Sequence, residues 1–322
     1  MDLKKIGFYT LSDERVKNAS VSSPLKRCEL ILTGACNFKC GYCRGLRSDI
    51  NRTMTLGQAK QIVEKWRSQS LESIRFSGGE PTCWNGLIDL VEFTKNKGVK
   101  NIAISTNGSA NPTLYRELIA AGVNDFSISL DACCSSTGAI MAGKTGEWEK
   151  VVDNIRGISK LAYVTVGVVV NEDNVGELEG IIEYAKSLGV ADVRIISTAQ
   201  ENFRLPVEDV PIDSKYPILA YRLGNIKQGR HVRGLQATDS GRCGLVLDDM
   251  AVAGRYHFPC IIYLREQGGP IGLISDPIEK VRTDRERWSK DRDSRTDMIC
   301  SKNCLDMCVD YNNKYREFYG AT

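Results

Sequence analysis

The sequence predicts an α/β protein: a partial (β/α)6 parallel barrel with a small cysteine-rich C-terminal extension. Two observations predict the barrel. Between residues 28 and 197, short β-branched runs alternate with longer amphipathic patterns. Several of those runs are apolar almost throughout, as parallel strands covered on both faces must be. A third observation predicts the extension, since the alternation stops after residue 197 and five cysteines then fall between 243 and 308.

Taken in order, the strand candidates are 28–33, 73–77, 101–106, 125–130, 163–170 and 192–196. The helix after the first strand carries the stripe Leu56, Ala59, Ile62, Val63 and Trp66, and the last carries Val175, Leu178, Ile181, Ile182, Ala185 and Leu188. Asn111-Pro112 reads as a cap with proline in the first turn, and Gly98, Gly122 and Gly189 stand where helix ends favour a left-handed residue. Asn174 with Glu177 resembles a capping pair. Six βα units of this kind imply a right-handed parallel sheet with helices outside and working loops at the carboxyl ends of the strands. The organisation expected is an N-terminal segment at 1–27, the barrel at 28–197, a linker at 198–240 with Pro206, Pro211 and Pro217, and the cysteine-rich region at 241–322.

At 322 residues, 42% hydrophobic and 26% charged, the chain has ample material for a core. Forty-three basic against 40 acidic residues leave a net charge of +3, too near balance to argue for a nucleic-acid or membrane partner. Residues 1–7 lack a signal-peptide pattern and no apolar run is long enough to span a bilayer, so a cytoplasmic address is expected. In a reducing compartment 12 cysteines read as metal ligands and free thiols rather than disulfides.

Directly after the first strand stands Cys36-Asn37-Phe38-Lys39-Cys40-Gly41-Tyr42-Cys43. A structural zinc site wants four protein ligands, whereas a cubane [4Fe–4S] cluster held by three thiolates leaves one iron open. A zinc knuckle completed by a distant cysteine is the alternative. The spacing resembles the signature of the radical S-adenosylmethionine (radical SAM) family. The resemblance implies that Cys36, Cys40 and Cys43 hold the cluster, that S-adenosylmethionine chelates the open iron, and that reductive cleavage yields a 5′-deoxyadenosyl radical. It further implies that Tyr42 lies near the adenine.

The turn Gly78-Gly79-Glu80 follows the second strand, and its glycines let the backbone approach a ligand closely. It resembles the family's GGE motif, which implies that Glu80 meets the amino group of the methionine moiety. Strand ends three and four carry Ser105, Asn107, Ser129 and Asp131, groups able to hydrogen-bond ribose hydroxyls and the cofactor carboxylate, or to act as plain turn formers.

The stretch from Cys243 to Cys260 resembles the hairpin of SPASM/Twitch extensions, which implies one auxiliary [4Fe–4S] cluster closed by the tail Cys300, Cys304 and Cys308. Cys243, Cys260, Cys304 and Cys308 are the favoured ligands, with Cys300 the second choice. The equal spacing of the tail cysteines would put them on one face of a helix. Three ligands instead of four would leave an open iron, as in the molybdenum-cofactor GTP cyclase, and zinc on four thiolates is the structural alternative.

Cys83, Cys133 and Cys134 are candidate hydrogen-atom donors or incidental thiols. His231 and His257 read as packing or surface residues, and the alternating charges of 282–295 as a solvated face. Arg44 could tune the cluster or meet an anionic substrate. The reading is a radical SAM oxidoreductase or lyase-type enzyme that abstracts hydrogen from a small molecule, leading to oxidation, rearrangement or epimerisation. It would be served by a reducing partner such as flavodoxin or ferredoxin. The short stretch ahead of the first strand favours a small molecule over a peptide substrate. A peptide-modifying maturase and a nucleotide-rearranging enzyme similar to the GTP cyclase are the alternatives within this chemistry. An iron–sulfur electron carrier or a zinc-stabilised binding module lies outside it.

Overall fold

The computed structural model describes residues 13–50, 53–201 and 204–320, so residues 1–7 of the signal-peptide reading lie outside the described residues. The strands are β1 (Arg27–Thr33), β2 (Ser73–Gly78), β3 (Asn101–Thr106), β4 (Asp125–Ser129), β5 (Tyr163–Val170), β6 (Asp192–Ser197), β7 (Asp249–Ala253), β8 (Tyr256–Phe258) and β9 (Gly272–Leu273). Around them lie α1 (Asp13–Asn18), α2 (Leu56–Arg67), α3 (Leu87–Asn96), α4 (Pro112–Ala121), α5 (Ser135–Ala142), α6 (Trp148–Ile158) and α7 (Leu178–Ser187). The C-terminal helices are α8 (Pro217–Lys227), α9 (Ile261–Arg265), α10 (Ile278–Asp291), α11 (Cys300–Asn303) and α12 (Asp306–Tyr319).

The sheet runs β6-β5-β4-β3-β2-β1-β7-β8-β9. Its first six strands are mutually parallel, as the βα rhythm requires. Val164, Val166, Val168 and Val170 of β5 are fully buried, as are Leu30 and Leu32 of β1. The α2 stripe packs as the spacing predicts, with Ala59, Ile62, Val63 and Trp66 buried, and a capping box from Thr55 and Gln58 starts the helix. Asn111 accepts from Thr113 N to cap α4.

Two features depart from expectation. Residues 198–240 are not a bare linker, because α8 packs along β6 and Asp192 caps it by accepting from Ile218 N (2.8 Å) and Leu219 N (3.2 Å). Beyond them β7 enters the main sheet parallel to β1, pairing Leu30 with Val252, and β8 and β9 extend it antiparallel. An unpaired β1 edge would expose a row of backbone donors and acceptors, and the cysteine-rich region supplies the partner strand.

The charged run 282–295 also departs in part from a solvated face. It lies largely on α10, whose Arg282 and Arg285 are buried. Arg285 donates to Val246 O (2.8 Å), Phe258 O (3.0 Å) and the carbonyl of Asp249, and Arg282 to Ser20 O (2.9 Å) and the carbonyls of Val21 and Ser23. Loop carbonyls withdrawn from water need donors, and a guanidinium carries five. His257, wholly buried in β8, faces Arg285 at 3.3 Å, which fits a packing role, and burial holds its pKa down to about 3. Among the described residues, no helix is long and apolar enough to cross a membrane.

Candidate active site

The cysteine loop leaves the end of β1 and is clasped from two sides. On one side Gly79 N donates to Thr33 O (2.7 Å) and Glu80 N to Ala35 O (2.8 Å). A Cβ on Gly78 would stand 2.4 Å from Thr33 O, and one on Gly79 2.3 Å from Ala35 O. These glycines therefore admit the backbone of the cysteine loop itself, besides lining the cavity. On the other side Lys39 N donates to Ala142 O at the end of α5, and a Cβ on Gly143 would meet Lys39 O at 2.1 Å. Asn107 Nδ2 donates to Asn37 Oδ1 and Asn37 Nδ2 to Ser109 Oγ, both at 2.8 Å, stitching the loop to the end of β3.

Within this frame Cys36, Cys40 and Cys43 line one cavity of about 390 Å³, with Cys36 and Cys43 exposed to it and Cys40 half-buried. Phe38 N lies 3.4 Å from Cys36 Sγ, a donor that favours thiolate there, and Gly45 N lies 3.4 Å from Cys43 Sγ. Burial pushes the Cys40 thiol up to about 11 and raises Cys36 as well, so loading of a metal or cluster displaces protons. Gly78, Gly79, Ser105, Asn107 and Ser129 line the same cavity, so the residues singled out along four strand ends converge on one mouth.

Two sequence-predicted residues are more occupied than expected. Glu80, 1% exposed, accepts from Thr106 Oγ1 and Asn107 N (both 2.7 Å) and from Thr82 N and Oγ1. Burial raises its pKa against those donors. As described, it is a bracket between the ends of β2 and β3. Asp131 accepts from Tyr42 Oη (2.6 Å) and Val169 N (2.7 Å), and burial pushes it up to about 6. Tyr42 is thereby fixed beside the last two cysteines. Asn174 is not a side-chain cap. It is buried, donating to Asp131 O (2.8 Å) and Val169 O (2.9 Å), and Glu177 instead accepts from Thr137 Oγ1 (2.7 Å).

Cys83, Cys133 and Cys134 do not line the cavity; Cys83 is exposed beside the loop and Cys133 faces Glu177 at 3.6 Å. Reading the sequence missed the arginines that do line it, Arg194 on β6, Arg233 and Arg265. Their signal was weak, since only Arg194 occupies a predicted strand and its neighbours there are apolar.

In the C-terminal region Cys243, Cys260, Cys300, Cys304 and Cys308 all line one small cavity of about 30 Å³. The tail is not one continuous helix. Cys304 ends α11 with extended backbone and Cys308 sits in the first turn of α12, a break that turns the cysteines toward a common point. Burial pushes Cys243 up to about 11 and raises Cys260 and Cys300 further, while Asn312 Nδ2 lies 3.5 Å from Cys243 Sγ. Among the described residues no three His, Cys, Asp or Glu side chains are set to grip a single metal ion as they stand. The donor set fits a cluster nonetheless: five thiols, with walls of Leu245, Val246, Tyr263 and Trp288 that exclude water.

The Radical SAM superfamily model matches residues 30–185. A "Probable GTP 3′,8-cyclase" of Saccharolobus solfataricus is 29% identical over 177 residues, 54% of this chain and 57% of that protein. One of Methanococcus aeolicus is 28% identical over 214 residues, 63% and 66% of the two chains. The chain thus spans a little over half the length of the first of these relatives. By fold, it resembles Streptococcus suis SuiB bound to precursor peptide SuiA, with a TM-score of 0.60 at 13% identity, covering 84% of this chain and 65% of that one. It also resembles anSMEcpe with bound AdoMet, with a TM-score of 0.58 at 15% identity, covering 91% and 96%.

Proposed function

We propose, from the match of residues 30–185 to the Radical SAM superfamily model, that this chain reductively cleaves S-adenosylmethionine and abstracts hydrogen from a small molecule held in the 390 Å³ cavity. The observation that carries the reading is the convergence of three thiols, two cavity-lining glycines and the hydroxyls of Ser105 and Ser129 on one barrel mouth. A [4Fe–4S] cluster with S-adenosylmethionine bound supplies a 5′-deoxyadenosyl radical there. The chain's own part is positional. Cys36, Cys40 and Cys43 supply three thiolates, while the Glu80 side chain braces the GGE turn that clasps their loop to the end of β3, and Asp131 fastens the loop to the end of β4 through Tyr42. Ser105, Ser129 and Asn107 present polar groups to the nucleoside, and Met141, Trp148 and Val151 give an apolar wall that keeps water from a reactive centre.

The five C-terminal thiols are read as the site of one auxiliary [4Fe–4S] cluster, with Cys243, Cys260, Cys304 and Cys308 as ligands. The region joins the barrel through β7 and through Arg44 Nη2 to Glu266 Oε2 (2.8 Å), so its cluster would lie on the same rigid frame as the first. A second reading, rearrangement of a nucleotide, is favoured by the relatives named as probable GTP 3′,8-cyclases, whose match covers just over half of each chain.

Anaerobic incubation of reconstituted protein with S-adenosylmethionine and dithionite tests the main reading. Release of 5′-deoxyadenosine well above a Cys40→Ala control is expected; release no greater than that control would leave an electron carrier or a zinc-stabilised module.

A further inference from the structure

Resting on the auxiliary-cluster reading above, we infer that Ser294, together with Asn312, donates hydrogen bonds to the sulfur of that cluster and so holds its reduction potential up. Both side chains line the small cavity shared by the five C-terminal cysteines. Each is more than nine-tenths buried, at 5% and 3% exposure.

Ser294 stands in the short connection between α10 and α11. Its neighbours Asp293 and Arg295 are solvent-accessible and pair with each other (2.6 Å), whereas Ser294 turns inward, its N donating to Gly241 O (2.7 Å). Its Oγ is sealed from solvent, yet among the described residues it has no hydrogen-bond partner, the five thiols beside it included. Native folds seldom withdraw a hydroxyl from water without giving it an acceptor. The acceptor that completes Ser294 is then whatever fills the cavity, and the sulfurs of a cluster accept such bonds.

Asn312, on α12, is oriented rather than orphaned. Leu245 N donates to its Oδ1 (3.1 Å), which settles the direction of the amide and leaves Nδ2 facing Cys243 Sγ at 3.5 Å. Tyr263, also on the wall, is committed elsewhere, its Oη donating to Asp297 Oδ2 (3.2 Å) and accepting from Arg292 Nη1 (3.1 Å). The consequence follows from charge. Reducing a cluster adds one negative charge, which walls of Leu245, Val246 and Trp288 solvate poorly. Fixed donors at sulfur stabilise the reduced form more than the oxidised one, because a more negative acceptor makes the stronger hydrogen bond, and their effect is larger in a dry site than in water.

The test is a redox titration of the reconstituted full chain followed by electron paramagnetic resonance. It reads the signal that S-adenosylmethionine leaves unchanged and that Cys243→Ala/Cys260→Ala removes. Ser294→Ala should keep about eight irons per chain, while its oxidised-to-reduced ratio at a fixed potential rises about tenfold, a midpoint lower by about 59 mV for a one-electron couple. Asn312→Ala should shift the same way. Ser289→Ala should titrate as the wild type does, since that buried hydroxyl already donates to the carbonyl of Cys243 (2.8 Å). An unshifted midpoint in Ser294→Ala overturns the inference. So does a fall to about four irons in that variant, which would make the hydroxyl part of the site's construction, or an equal shift in Ser289→Ala, which would report loosened packing. Wild-type iron separates the two claims. About eight irons with an unshifted Ser294→Ala midpoint sinks this inference alone, whereas about four irons in the wild type sinks the auxiliary cluster and this inference with it.

Discussion

Tyr42 donates its phenolic proton to Asp131 Oδ2 at 2.6 Å, fastening the loop that carries the three cysteines to the end of the fourth strand. Burial and then the Asp131 charge push the phenol's pKa up, so it remains a donor, and the carboxylate's other oxygen is held by Val169 N.

Removing that phenolic oxygen should loosen the loop without touching a cysteine. In Tyr42→Phe one oxygen of a buried carboxylate loses its partner, a change worth about 1–3 kcal/mol. Anaerobic denaturant unfolding is expected to register that loss, with faster release of iron from the N-terminal site. Unchanged stability and iron retention would mean the bond does not anchor the loop.

The GGE turn offers a steric test. Gly79→Ala would drive a methyl into Ala35 O and Gly34 O, both backbone atoms within 2.6 Å, so the cysteine loop must shift. Gly41, between Cys40 and Tyr42, has open space where a methyl would go, with nothing within 4 Å, and Gly41→Ala should be tolerated. Iron content after reconstitution should fall in the first variant and hold in the second.

For the C-terminal thiols, the favoured ligand set predicts that Cys304→Ala lowers iron from about eight to about four per chain while Cys300→Ala leaves about eight. The opposite pattern would make Cys300 the ligand, and about four irons in the wild type would remove the auxiliary cluster altogether.

Asp192 gives a pH dependence whose direction is fixed. Burial raises its carboxyl from 3.8 to about 6, so the fold binds the proton more tightly than the unfolded chain does. Its contribution to stability is full below about 3.8 and is lost as pH rises through about 6. The stability difference between wild type and Asp192→Asn should therefore move against the wild type over that interval and level off above it. A difference that grows in the wild type's favour with rising pH would contradict the assignment.

How much of this is legible in the sequence depends on the range of the interaction. The six barrel strands stand out because each is a compact apolar run, and strands 101–106 and 163–170 agree with the fold to the residue. The motif residues are legible because chemistry confines them to strand ends. The partner of β1 is not, because β7 joins it across more than 200 residues and Asp249–Ala253 looks like any short strand. The roles of Asp131 and Asn174 are hidden for the same reason: a carboxylate and an amide have many uses, and only the facing Tyr42 and Val169 decide between them. The buried arginines are hardest to foresee, since a charged residue in a helix ordinarily implies solvent.

The central claim is that three thiolates leave one coordination position open for a sulfonium cofactor. The most direct measurement is the electron paramagnetic resonance spectrum of the dithionite-reduced Cys243→Ala/Cys260→Ala protein, which retains only the N-terminal site, with and without S-adenosylmethionine. A cluster signal that changes on adding the cofactor, and is lost in a variant that also carries Cys40→Ala, is the expected result. A signal unaffected by saturating S-adenosylmethionine would contradict the account.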